Sequence, residues 1–146
     1  MGSFEGFVAK WEGSGASERA NKDAFLIELC DVLQVPRPAP TTGDGEKDTY
    51  VFERDAKLPH QGGVVTIGKI DLYKAEAFIL EAKQGSDAGA KKLGTAKRGT
   101  PAWNIAMNDA YRQALGYARS FDVPVPFLII CDIGHCFDLY AAFDGS

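Results

Sequence analysis

KIDLYKAEAFILEAKQG, residues 69–85, holds two runs of strand-forming residues on either side of a short polar connection. The first run extends back to Val64 (VVTIGKIDLY, 64–73) and the second is FILEAK (78–83), which predicts a β-hairpin. Side chains alternate along a strand, so Glu81 and Lys83 share one face while Phe78, Leu80 and Ala82 take the other. A three-residue turn at Ala75-Glu76-Ala77 would set Asp71 directly across from Glu81. Opposed residues in such a pair have Cβ atoms about 4.5–5.5 Å apart, close enough for two carboxylates to share a cation.

Working outward, Phe4, Phe7, Val8 and Trp11 follow i, i+3, i+4, i+7 and predict a short amphipathic helix, which Gly13-Ser14-Gly15 breaks. A second helix is expected from about Ser17, an N-cap with Glu18 in the first turn. Its apolar face is Phe25, Leu26, Leu29, Cys30 and Leu33, and Pro36 ends it. VPRPAPTTGDGEKD (35–48) reads as loop, and Thr49 to Phe52 as a strand. Past the hairpin lies a basic, glycine-containing loop. Thr100-Pro101 then reads as an N-cap with proline at N1, opening a helix with Trp103, Met107, Ala110, Ala114 and Tyr117 on one side. VPFLIICDI (125–133) is apolar but for Asp132, as suits a strand covered on both faces, and CFDLYAAF (136–143) is a last strand. The expected class is α/β: a mixed, mainly five-stranded sheet flanked by helices, in a single domain spanning 1–146. The stop at Gly145-Ser146, directly after an apolar strand, reads as a cut from a longer polypeptide.

Composition narrows the function. No apolar run approaches the ~20 residues that span a bilayer, and no signal peptide is evident, so a cytoplasmic setting with no membrane partner is expected. Cys30, Cys131 and Cys136 lack metal-ligand spacing and read as reduced, packed thiols. The formal net charge of −4 argues against a protein that coats DNA, because non-specific affinity comes mostly from Lys and Arg on phosphates. It does not exclude an enzyme that gathers acids around a metal. The stretch 91–98 (KKLGTAKR) carries Lys91, Lys92, Lys97 and Arg98 and no acid. It is either a solvated loop or a phosphate clamp.

Hydrolysis of a phosphodiester needs an activated water and neutralisation of charge on the phosphate. Carboxylates holding Mg²⁺ supply most of this, and a lysine beside them can orient the water and stabilise negative charge. Asp71, Glu81 and Lys83 are that set of groups. Glu81-Ala82-Lys83 alone would more often be an exposed pair on a strand. Three features weigh against that: the buried-looking FIL flank, Asp71 entering the same hairpin, and Gln113 and Tyr117 one turn apart on the following helix.

Asp71-x9-Glu81-x-Lys83 with Gln113-x3-Tyr117 resembles the PD-(D/E)xK nuclease superfamily in its RecB-like form. SERANKDAFLIELCDVLQVPRP (17–38) together with KIDLYKAEAFILEAKQG resembles, more closely, the N-terminal nuclease region of single-chain restriction-modification proteins. Those are the type IIL enzymes and related phage-defence methylases, which join the nuclease to a helical spacer and an adenine methyltransferase. The resemblance covers roughly Phe4 to Phe143. The proline of the superfamily's name is absent, with Ile70 before Asp71.

The resemblance implies a restriction-endonuclease-like fold and a Mg²⁺-dependent endonuclease cutting double-stranded DNA, with Mn²⁺ as a substitute. Asp71, Glu81 and the Ala82 carbonyl would ligate metal, Lys83 would orient water, and Gln113 and Tyr117 would position the site or touch a phosphate. Glu18 is either a further metal ligand or a simple helix-dipole residue. Gln84 is either a DNA contact or the last polar residue of its strand. No glycine-rich cofactor loop and no Asn-Pro-Pro-Tyr-like motif occurs. S-adenosylmethionine, methylation and sequence specificity would therefore belong to methyltransferase and specificity domains elsewhere in the polypeptide. The alternatives are a catalytically silent DNA-binding or bracing domain, and a RecB-like nuclease of repair or mobile-element origin.

Overall fold

The computed structural model describes residues 3–12, 18–86 and 96–141. Their elements run α1 (Phe4–Glu12), α2 (Glu18–Leu33), β1 (Ala39–Pro40), β2 (Tyr50–Pro59), a 3-10 turn (Gln61–Gly63), β3 (Val65–Lys74), β4 (Phe78–Lys83), α3 (Pro101–Arg119), β5 (Phe127–Asp132) and β6 (Cys136–Ala141). The six strands form one mixed sheet in the order β1-β2-β3-β4-β5-β6. β1 joins β2 and β5 joins β4 in parallel, while the other pairs are antiparallel. None of the described helices is long and apolar enough to cross a membrane.

The sheet has six strands rather than the expected five. Two residues inside the expected loop, Ala39 and Pro40, pair with Val51 and Phe52. So short a strand leaves no periodicity to read, and its proline is tolerated because it lies at the sheet edge. The strand expected at Thr49 to Phe52 is also much longer, because β2 continues to Pro59 along β3. In α1 only Phe7 and Trp11 are buried, while Phe4 and Val8 face solvent. A nine-residue helix packed along one side of α2 buries a narrower stripe than its apolar pattern offers.

Two apolar layers enclose the sheet. On one side Phe7 and Trp11 of α1 and Phe25 and Leu26 of α2 cover Phe52, Leu72, Leu80, Ala82, Cys131 and Ile133. The Trp11 ring stands edge-on to Phe25 at 5.4 Å, and its indole N–H donates to Glu28 Oε2 at 2.6 Å. On the other side Met107, Ala110, Ala114 and Tyr117 of α3 cover Ile70, Tyr73, Ile79, Leu128 and Ile130. Each large aliphatic buried this way contributes about 1.5–3 kcal/mol. α3 begins as expected: Thr100 caps it, its side chain accepting from the Trp103 N–H, with Pro101 in the first turn. Being covered on both faces explains the continuous apolar run of β5.

Two glycines permit close approaches. A Cβ on Gly134, whose φ is +79°, would lie 2.2 Å from the Trp11 carbonyl oxygen, so the β5–β6 turn closes against the end of α1. A Cβ on Gly68 would lie 2.5 Å from the Tyr117 ring, which rests on the β3 backbone. Gly68→Ala is expected to push that buried ring aside at a cost of about 1–3 kcal/mol, read as a lower denaturant midpoint with unchanged slope. An unaltered midpoint would show that the ring is not held.

Candidate active site

The β3–β4 ladder is short. Lys74 pairs with Phe78, Tyr73 with Ile79 and Leu72 with Leu80, and Ala75-Glu76-Ala77 form the turn as the sequence predicts. Beyond Leu72 and Leu80 the strands part: β3 continues along β2, and β4 along β5. Asp71 and Glu81 are the first residues past the end of the ladder, so they lie at the fork. One carboxylate replaces the missing ladder bond, Asp71 Oδ2 accepting from the Ala82 N–H at 2.8 Å.

Alternation of faces also breaks there. Ile70 belongs to the α3-side layer, whereas Leu72 belongs to the α1/α2-side layer. The partner strand breaks at the matching place: Phe52 lies on the α1/α2 side and Ala56 on the α3 side. Between them Glu53 has φ +58°, a left-handed conformation that is costly for a residue with a Cβ. Its position falls opposite Asp71, between the pairs Phe52–Leu72 and Arg54–Ile70.

Glu81 is only 3% exposed and its Oε1 has no hydrogen-bond partner among the described residues. Burial, and then the neighbouring Asp71 charge, push its pKa up to about 9. The nearby Lys83 ammonium opposes that rise without cancelling it. Lys83 is half-buried, makes no side-chain hydrogen bond or ion pair among the described residues, and pairs in register with Asp132 of β5. Tyr117 closes the α3 side. Its hydroxyl accepts from Gln113 Nε2 at 2.8 Å, and its pKa is raised by burial and then by Glu81. Asp71, Glu81, Lys83, Gln113 and Tyr117 are thus brought to one region.

A proton-holding Glu81 sets the sign of a pH effect. The unfolded carboxyl titrates near 4.5 and the folded one near 9, so between these values the folded chain binds the extra proton. The contribution is complete below 4.5 and is lost as pH rises through that window. Metal-free thermal midpoints are expected to fall over this range, and Glu81→Gln to flatten the decline. An equal slope in both proteins would mean that Glu81 titrates normally.

Several residues at the fork carry no sequence signal of their own. Lys22 of α2 reaches in to ion-pair with Glu53 and, at 3.2 Å, with Asp71 Oδ1. Burial disfavours its charge, but these two acids outweigh that and raise its pKa. Asn21 Nδ2 donates to Gln84 Oε1 at 3.0 Å, and both residues are buried. Gln84 is therefore turned into the protein rather than outward. Asp132 is buried and accepts from Arg98 twice (2.9 and 2.8 Å), from the Gly85 N–H (2.9 Å) and from Trp103 Nε1 (2.7 Å). Burial opposes its charge, but these donors together hold its pKa below the ordinary value.

Arg98, one of the cations expected in a phosphate clamp, is thus directed at Asp132, while Lys97 is exposed. Ser86 and Lys97 form a parallel bridge just past the end of β4. Lys91 and Lys92 lie outside the described residues, as does the side chain of Glu18, the first residue of α2.

The fork suits a hard divalent cation. A buried, unpartnered carboxylate oxygen beside a second carboxylate is an electrostatic cost that such an ion relieves, and oxygen is the donor that Mg²⁺ and Mn²⁺ prefer. Among the described residues no cluster of three or more His, Cys, Asp or Glu side chains is arranged as a ready-made metal cage. Two carboxylates plus a backbone carbonyl would leave several positions to water and phosphate, as is usual for magnesium.

No curated protein and no solved structure matches the chain. A family model described as MmeI, N-terminal domain, matches residues 2–145, and the chain belongs to that family.

Proposed function

From that membership we propose that this chain is the DNA-cleaving part of a restriction-modification protein: a Mg²⁺-dependent endonuclease of the PD-(D/E)xK kind, acting on double-stranded DNA in the cytoplasm. MmeI is a type IIL restriction enzyme, which supplies the restriction-modification context. The observation that carries the chemistry is the orphaned, buried Oε1 of Glu81 beside Asp71 at the fork of β3 and β4.

In this reading Asp71, Glu81 and the Ala82 carbonyl hold the metal. The bound ion supplies neutralisation of the scissile phosphate and polarisation of a water. Lys83, with no side-chain bond among the described residues, orients that water and balances charge developing on the phosphate oxygens. The Ala82 N–H fixes Asp71 in place, and Gln113 fixes the Tyr117 hydroxyl at the α3 wall. Exposed Lys97, with Lys91 and Lys92, meets the DNA backbone. Arg98 acts from behind through its pair with Asp132, and Gln84 through its bond to Asn21 of α2. Methylation with S-adenosylmethionine and sequence recognition fall to other domains.

The test is conversion of supercoiled plasmid, with Mn²⁺ binding followed by calorimetry. Wild type is expected to bind and cut with Mg²⁺ or Mn²⁺ and to stop with chelator, while Asp71→Ala loses both. Cleavage that persists in Asp71→Ala would end the assignment.

A further inference from the structure

Lys22 stands where the metal reading puts a cation. Asp71 Oδ2 is committed to the Ala82 N–H, and the remaining oxygen, Oδ1, already faces the Lys22 ammonium at 3.2 Å. That ammonium is only 13% exposed and also bonds Glu53, so it bridges two strands from a helix packed over them. Glu53 in turn occupies a left-handed residue in the middle of β2, opposite Asp71. Backbone strain retained at such a place calls for a local reason, and the bond to Lys22 supplies one.

We propose that Lys22 is a built-in counter-ion of the site: it neutralises Asp71 until a divalent cation binds there, and Glu53 is the berth onto which it withdraws. Without it, Asp71 and Glu53, opposite each other on β3 and β2, would repel each other. With it, the metal enters by displacing an ammonium that moves a short distance and stays paired. Glu53 is then a positioning residue that tunes metal affinity through Lys22, not a metal ligand. This inference rests on the metal site proposed above.

Mn²⁺ binding by isothermal titration calorimetry separates the two. Lys22→Met removes the competitor and is expected to lower the Kd by about tenfold or more, whereas Lys22→Arg keeps a cation and stays near wild type. Glu53→Gln removes the berth, leaves Lys22 on Asp71 and is expected to raise the Kd by about threefold or more. In a Lys22→Met background the same Glu53→Gln change is expected to do nothing, a non-additivity that only coupling through Lys22 produces. Thermal unfolding of each variant confirms that it is folded, and Lys22→Gln, which also removes the charge, carries the comparison if the methionine variant is not. An unchanged or higher Kd in Lys22→Met, with binding abolished by Asp71→Ala, would overturn the counter-ion role and leave the metal site standing. Equal weakening by Glu53→Gln in both backgrounds would make Glu53 a ligand and overturn the berth. Absence of binding in wild type and Lys22→Met alike would remove the metal site and this inference with it.

Discussion

Lys83→Ala is expected to reduce plasmid cleavage by about 10²–10⁴-fold while leaving Mn²⁺ affinity unchanged or slightly higher. That range is the usual size of one lost acid–base or electrostatic contribution. The division follows from position. Asp71 and Glu81 remain at the fork in this variant, so the oxygen donors proposed for the metal are intact. Lys83 has no ion-pair partner among the described residues, so its removal strands no other buried charge and should cost little stability. Its charge does oppose the raised pKa of Glu81, so the variant should hold the Glu81 proton more tightly. That tighter proton works against the gain from losing a competing cation, so net Mn²⁺ affinity should change little. Asp71→Ala makes the contrast, losing metal and cleavage together. Equal cleavage by Lys83→Ala and wild type, measured with metal saturating, would take the lysine out of the chemistry.

The hairpin was legible because it is local. The spacing of Asp71 and Glu81, the turn at Ala75–Ala77 and the alternation in FILEAK together define the register, and the ladder follows it. α3 was legible for the same reason, through Thr100, Pro101 and the apolar spacing to Tyr117. The second half of β2 was not. ERDAKLP (53–59) is charged and ends in proline, because that stretch and the start of β3 form a two-stranded ribbon whose outer end is exposed on both sides. Nothing in the composition marks the left-handed Glu53 either, since glutamate has no preference for that conformation. Lys22 and Asp132 escaped for a different reason. Their partners lie 49 and 34 residues away, at Asp71 and Arg98 respectively. Before the fold is known, each is only one more charged residue. Arg98 shows the same effect in reverse: in the sequence it belongs to a basic run, and in the fold it is half of a buried pair.

That pair underlies the largest stability effect expected. Asp132→Ala would take from the Arg98 guanidinium, only 12% exposed, a carboxylate that it meets twice, and would strip acceptors from the Trp103 indole and the Gly85 N–H. Removing one partner of a buried ion pair typically costs about 3–5 kcal/mol, chiefly because the other charge stays buried. For a chain of this length that corresponds to a fall of roughly 10–20 °C in Tm. The damage should centre on the end of β4, because Asp132 ties together Gly85, the returning segment at Arg98 and the first turn of α3. Lys83 pairs with Asp132 in register, so cleavage should fall as well, but through disorder of the site rather than loss of a reacting group. The double variant Asp132→Ala/Arg98→Leu distinguishes a net stabilising pair from a merely matched one. Removing both charges together should recover much of the lost Tm, since an apolar replacement of a buried pair is often near neutral. If the double variant melts as low as the single one, the carboxylate matters mainly for Trp103 and Gly85. If Asp132→Ala melts within a few degrees of wild type, the pair does not anchor this end of the sheet.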